Sequence, residues 1–390
     1  MKVIQTVLRN QAGLTEALQP LCVGQPQLVL VFGSASWLHA LAPQLAGLFG
    51  PAHLLGCSTA GEISSAGVTD DTCVVTAVHF DRVPLQAAST QLSGMDDSFS
   101  AGQRLAIALP RLGLRAVLLL GQGVNINGSA LIGGMVAVLG PEVLITGGLA
   151  GDGAAFHETW VLESGGVHND RVACVGLYGE HLRVAHGSFG GWMPFGPARK
   201  VTRSAHNVLY ELDGEPALDV YKRYLGEHAK DLPASGLLFP FAMIGRDHAE
   251  VGLIRTILAV DDAVGSLTLA GDIDPEGYLR LMHASTDALV DGAEAAAQAT
   301  KTSQISQMAA ESSGPGLALL VSCVGRKLVM GGRVEEEVEA VAHVFEQGTV
   351  LTGFYSYGEI SPFTEDFSCK LHNQTMTITH LMEHAAVHTS

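Results

Sequence analysis

The sequence has no CxxC pair and no CxxCH run. Its six cysteines, Cys22, Cys57, Cys73, Cys174, Cys323 and Cys369, are scattered. That spacing excludes a zinc ribbon and covalent haem attachment. Several lie inside apolar runs, where a free thiol behaves as a small hydrophobe, so a reducing, cytoplasmic setting is expected. No apolar run reaches about 18 residues, and no membrane-spanning helix is expected. The opening MKVIQTVLRNQAG lacks an apolar core followed by a small-residue cleavage site, so no signal peptide is expected. A Walker A motif is absent, and GQGVNING at 121–128 lacks the GxGxxG spacing, which excludes a nucleotide cofactor. Basic residues are scarce: 22 Lys and Arg stand against 39 Asp and Glu, for a net charge of −17. That balance argues against nucleic acid or an anionic membrane as partner, and serves solubility.

What is present is apolar residues and glycine. The chain has 390 residues, 47% of them hydrophobic, and 46 glycines that gather in motif-like clusters. This is enough for two or three domains' worth of core. Strand-helix-strand order recurs three times. Strands are expected at 28–33, 52–55 and 72–80, then at 116–121 and 143–146, then at 317–323, 349–352 and 376–381. Helices are expected at 37–49, 104–112, 130–139 and 334–345, and further strands near 159–162 and 172–178. Apolar strands alternating with helices predict an α/β fold of mixed sheets built from repeated strand-helix-strand units.

The middle of the chain reads differently. Residues 186–205 are rich in Gly and Pro and read as a loop or crossover. A helix is expected at 215–225 and a hairpin from 252–260 and 266–270 around Asp261-Asp262. A strand is expected at 278–283 and a long alanine-rich helix at 287–310. A domain boundary near residue 215 divides the chain into 1–215 and 216–390.

Two stretches share the pattern Gly-x-x-Ser/Thr-x-Gly-Glu-Ile-Ser. They are Gly56-Cys57-Ser58-Thr59-Ala60-Gly61-Glu62-Ile63-Ser64 and Gly353-Phe354-Tyr355-Ser356-Tyr357-Gly358-Glu359-Ile360-Ser361. Each follows an expected strand, so each reads as a glycine-bearing loop that brings backbone N–H groups, a hydroxyl and one carboxylate close to a guest. Glu62 and Glu359 either accept hydrogen bonds from a ligand or close a local turn. Asp152 in GGLAGD has the same two readings. Trp192, Tyr355 and Tyr357 line a pocket or pack in the core. Cys57 has no Cys-His-Asn or Ser-His-Asp signature around it, so no catalysis is expected.

Seven stretches in order resemble the FIST family, with an N-terminal and a C-terminal FIST domain packed together. They are GCSTAGEI at 56–63, GGLAGD at 147–152, GGWMPFGPARKVTRS at 190–204, YELDGEPALDVYKRYLG at 210–226, CVGRKLVMGGRVEEEVEAV at 323–341, GFYSYGEISP at 353–362 and CKLHNQTMTIT at 369–379. The resemblance implies a cytoplasmic sensory protein of bacterial signal transduction that binds a small ligand. About thirty residues follow the second Gly-Glu motif and hold no output module, so the signal is expected to pass to a separate protein. In length and organisation the chain is similar to the nitric-oxide-sensing type (NosP), which implies haem b as cofactor, a sensor histidine kinase as partner and an effect on biofilm.

The alternative is a sensor for an amino-acid-like metabolite without haem. In that reading Cys57, Ser58, Thr59, Gly61, Glu62, Asp152, Trp192, Tyr355, Tyr357, Glu359 and His372 are the candidate ligand contacts. A haem ligand would be one of 16 histidines. His206 stands where many family members carry glycine and is the first candidate, with His186 and His248 next. His380, His384 and His388 lie four apart and read as a loose C-terminal tail.

Overall fold

The computed structural model describes residues 1–307, 316–345, 348–362 and 369–384. Three copies of one unit form its body. In the first, β1 (Lys2–Leu8), β2 (Leu28–Gly33), α1 (Ala35–Phe49), β3 (His53–Ser58), β4 (Glu62–Ser64) and β5 (Cys73–His79) follow in order. The second has α2 (Ser98–Ala108), β6 (Leu114–Gly121), α3 (Gly128–Leu139), β7 (Leu144–Leu149), β8 (Val161–Glu163) and β9 (Arg171–Tyr178). After β10 (Leu182–Phe189) comes a smaller sheet. It includes β11 (Arg199–Ala205), β12 (Val208–Leu212), α4 (Ala217–Leu225), β13 (Phe241–Ile244), β14 (Glu250–Arg255), β15 (Ile257–Asp261), β16 (Ser266–Leu269) and β17 (Tyr278–His283). The chain returns through α5 (Thr286–Gln307) to the third unit. That unit has β18 (Leu317–Cys323), α6 (Val324–Met330), α7 (Glu335–Val344), β19 (Val350–Ser356), β20 (Gly358–Pro362), β21 (Cys369–His372) and β22 (Met376–Glu383).

Each unit holds a parallel strand pair: β2/β3, β6/β7 and β18/β19. Parallel neighbours need a crossover, and a helix supplies it. Each closing strand then pairs antiparallel with the first member: β5 on β2, β9 on β6, β22 on β18. The short strand after each parallel pair leaves its own sheet. Strand β4 joins β19, β20 joins β7, and β8 joins β3. The exchange is cyclic and ties the three sheets into one body.

At the same place in each unit a glycine lies against its parallel neighbour. A Cβ on Gly56, Gly147 or Gly353 would collide with the carbonyl of Val31, Leu119 or Leu320 respectively. These positions tolerate no side chain.

The sheets share an inner core. Leu28, Leu30 and Phe32 meet Ala116, Leu118 and Leu120, and Leu317, Leu319, Val321 and Phe354. Phe32 stacks on Phe354 with centroids 4.8 Å apart. The outer faces are covered by helices, α1 on one sheet and α2, α3 and α7 on the others. Burial on both faces is why strands such as LVLVFG and LALLVSC are continuously apolar. No described helix is long and apolar enough to cross a membrane.

The fold is mixed α/β as expected, with four departures from the sequence reading. Residues 186–205 are not one loop: β10 and β11 occupy both ends, and the Gly/Pro density marks only the link between them. The expected 252–260 strand is two strands broken at Thr256. The Gly-Glu stretches are not loops beyond their glycines, because Glu62–Ser64 and Gly358–Pro362 are the exchanged strands. That pairing is non-local and leaves no local signature. Finally, His380 is buried in β22 and belongs to no tail; His388 and the end of the expected 287–310 helix lie outside the described residues.

Candidate functional site

The two glutamates that follow the twin glycines are held in matching cages. Glu62 is 2% exposed and Glu359 0%. One oxygen of Glu62 accepts from the Thr59 hydroxyl at 2.6 Å, and the other accepts from the N–H and hydroxyl of Thr72 at 3.1 and 2.8 Å. One oxygen of Glu359 accepts from Ser356 at 2.7 Å, and the other from the N–H and hydroxyl of Thr375 at 3.2 and 3.0 Å. Each carboxylate therefore ties the start of its exchanged strand to the start of its closing strand. In the second unit Val161 stands opposite Cys57, as Glu62 stands opposite Phe354 and Glu359 opposite Gly148. Only two of the three units carry the acid. Burial pushes the Glu62 carboxyl up against the pull of its donors, and pushes Glu359 up to about 8.

The two turns do meet. Ala60 N–H donates to Tyr355 O and Tyr355 N–H to Gly61 O, both at 2.9 Å. The space beside Gly61 is filled by Lys327, Asp70 and the Tyr355 ring, and that beside Gly358 by Leu371 and Leu149. Tyr355 donates to Glu337 at 2.7 Å, inside a buried network with Arg326 and Ser322. Tyr357 donates to Asp152, whose carboxylate also accepts the N–H groups of Phe156, His157 and Glu158. Ser58 accepts from Trp160 N–H at 2.8 Å. One cavity, about 540 Å³, is lined by residues including Cys22, Phe49, His53 and Leu85, and a small one lies among Phe195, Tyr224 and Phe241. Neither is lined by a residue of the twin motifs.

A different place gathers unsatisfied polar atoms. It is the seam where the link after β10, the end of β14 and the β21–β22 turn meet. Trp192 Nε1–H donates to Gln374 O at 2.7 Å. A Cβ on Gly190 would sit 3.4 Å from Gln374 O and 3.5 Å from Ile254 Cδ1. Arg255 Nη1–H donates to Leu371 O at 3.2 Å. Asn373 Oδ1 and Gln374 Oε1 of the β21–β22 turn, His186 Nδ1 near His372, and Thr256 Oγ1 next to Arg255 in the chain are buried without a hydrogen-bond partner. Native interiors leave few such groups.

Residues 27–215 match the FIST N domain and residues 217–362 the FIST C domain. The chain belongs to the FIST family. FIST domains are sensory domains of signal transduction. No curated protein matches this FIST chain. Among solved structures it is similar to a cyanuric acid hydrolase from A. caulinodans, at 8% identity and a TM-score of 0.40, over 99% of each chain.

The histidine candidates of this FIST protein fall in contrasting places. His206 and His248 are exposed on turns with φ of 53° and 64°. His186 is buried on β10, and burial pushes its imidazole down, so it is neutral at physiological pH. His372 is buried, its Nε2 lies 3.0 Å from Ser361 O, and burial holds it down at about 4, with further lowering from Arg255 and His186. Among the described residues no group of three His, Cys, Asp or Glu side chains is placed to hold a metal ion. Cys57 is fully buried and its thiol is raised well above the ordinary range by burial, the environment of an inert thiol.

The seam thus contains Trp192, His186 and His372 from the sequence candidates, and adds Arg255, Thr256, Asn373 and Gln374. Asn373 and Gln374 lie inside the CKLHNQTMTIT stretch. Arg255 had no signal, because a lone Arg in a strand-forming run reads as a surface residue.

Proposed function

We propose that this FIST protein is a small-ligand sensor whose site is the seam between the three-unit body and the smaller sheet. The observation that carries this reading is the set of buried, unpartnered polar atoms at His186, Thr256, Asn373 and Gln374. A ligand that satisfied them would recover the desolvation cost each now carries, about 1–3 kcal/mol per group. It would also bridge two parts of the chain, which is how a binding event changes their relative arrangement. The output passes to another protein, and a sensor histidine kinase is the partner we propose. Six cysteines free of disulfides suit a reducing cytoplasm. Thermal denaturation against a metabolite panel tests the reading: a ligand at a hundredfold over its Kd adds about 2.7 kcal/mol. A panel, hemin included, that shifts nothing would refute it.

The haem reading keeps one observation in its favour. His186 offers a neutral, buried imidazole with Nδ1 unpartnered, the donor an axial position needs. His206 and His248 lack that apolar enclosure. Haem at His186 would supply an iron that takes nitric oxide. An absorption spectrum with added hemin decides it: a Soret band lost in His186→Ala supports the assignment, and no Soret band removes haem from the account.

A further inference from the structure

The cavity of about 540 Å³ lies where the first unit meets the second. Its walls are the turn that leads into β2, the C-terminal end of α1 with the turn to β3, and residues 83–85. Leu85 opens the strand Leu85–Gln91, which pairs with β9 of the second unit. A hollow of this size encloses a small molecule. Pro26 and Phe49 are buried in its wall, and Leu48 and Leu85 are half-buried. A Cβ on Gly47 or Gly50 would meet nothing within 4 Å, so open space reaches the helix backbone.

The polar groups of the wall are uncharged. None of the described residues that line it carries a fixed charge. Cys22 Sγ lies 3.7 Å from Leu18 O and 3.8 Å from Leu48 O, and burial pushes its thiol up, so it is neutral at physiological pH. Gln27 Oε1 accepts from Phe80 N–H at 2.8 Å, which fixes the amide and leaves Nε2 as a donor. Helix α1 ends here, and the last carbonyls of a helix need donors from outside it. Gly47 O lacks its usual helical N–H, because position 51 is proline. A helix C-terminus carries partial negative charge, which favours a donor and disfavours a carboxylate.

We propose that this cavity is a second binding site, for an uncharged aromatic molecule that bears an N–H donor. The ring packs against Pro26, Phe49 and Leu85. Its N–H donates to the carbonyls at the end of α1, and Gln27 Nε2 donates to an acceptor on the guest. The site shares no residue with the seam and does not depend on the reading given to the seam. A guest here touches the first unit and the opening of the second together.

Cys22 serves as the reporter. It is the only one of the six cysteines that is not buried, so N-ethylmaleimide should label it alone in the native chain, read by mass spectrometry. Benzamide at about ten times its Kd should slow that labelling about tenfold. Benzoate substitutes a charge for the amide, and acetophenone removes the donor. Each should bind at least about fivefold more weakly. Gly47→Leu puts a side chain into the open space and replaces a helical glycine, so the fold should hold while benzamide binds at least about tenfold more weakly. His53→Trp enlarges a half-buried lining side chain and should weaken binding as well.

Labelling of Cys22 that benzamide does not slow would overturn the site. Equal protection by benzoate would overturn the uncharged class, and equal protection by acetophenone would overturn the N–H donor. Protection unchanged in both Gly47→Leu and His53→Trp would place the guest elsewhere and overturn the cavity assignment.

Discussion

Among the described residues two arginines are buried, and their surroundings differ. Arg326 is 0% exposed and donates to the Glu337 carboxylate, itself 0% exposed, at 3.1 and 2.8 Å. It also donates to the carbonyls of Gly190 and Leu289, and so joins α6, α7, α5 and the link after β10. Glu337 takes Ser322 and Tyr355 as further donors. Nothing in that network is left over. Arg255 hydrogen-bonds carbonyls only, and the charge of Asp272 acts on it without a direct ion pair. Both arginines clamp segments distant in sequence, the first through a direct ion pair and the second through backbone carbonyls.

The largest way to break that contrast is Glu337→Gln, which leaves Arg326 buried beside a neutral partner. Loss of one member of a buried pair costs about 3–5 kcal/mol, measured as a lower denaturant midpoint with unchanged slope. Arg255→Met should cost less, about 1–2 kcal/mol, because the lost hydrogen bonds to carbonyls are offset by relief of the guanidinium's desolvation. If the Arg255 change cost as much as the Glu337 change, the two sites would not differ in kind.

A third test uses pH. Glu359 is raised to about 8 in the folded protein from an ordinary 4.5. Its protonated form is therefore favoured by folding, and its contribution to stability is lost as pH rises from about 4.5 through 8. His372 and His380 are lowered to about 4 from 6.5, and their contribution is lost as pH falls through that window. Stability should peak near pH 6.5 and decline toward pH 8, with a slope of at most about 1.4 kcal/mol per pH unit. Glu359→Gln should flatten the decline above pH 6.5. An alkaline limb as steep in the variant as in the parent would refute the assignment to Glu359. The smallest effects belong to His206→Ala and His248→Ala. Both side chains are exposed, and each change should move stability by under about 0.5 kcal/mol and leave any hemin spectrum intact.

Much of this architecture is legible in one dimension. The apolar runs at 28–33, 116–121 and 317–323 read as two-sided buried strands, and the interleaved helices follow from their periodicity. The twin Gly-Glu motifs stand out as repeats, and their matching cages explain why: each needs a hydroxyl three residues before the acid and a threonine before the closing strand. The copy in the second unit escaped notice because Val161 replaces the acid and a longer segment separates it from Gly147.

Composition and local pattern determined the strands, the helices, the repeated turns and the family, because each depends on neighbours within a few residues. The tertiary structure alone decided which sheet each exchanged strand enters, that the turns meet over packed side chains, and that Arg255 is buried against backbone carbonyls. Those outcomes depend on groups more than a hundred positions apart, such as Arg255 and Leu371 or Glu62 and Phe354. No local propensity encodes such a distance; only the closure of three sheets around one core brings those groups together.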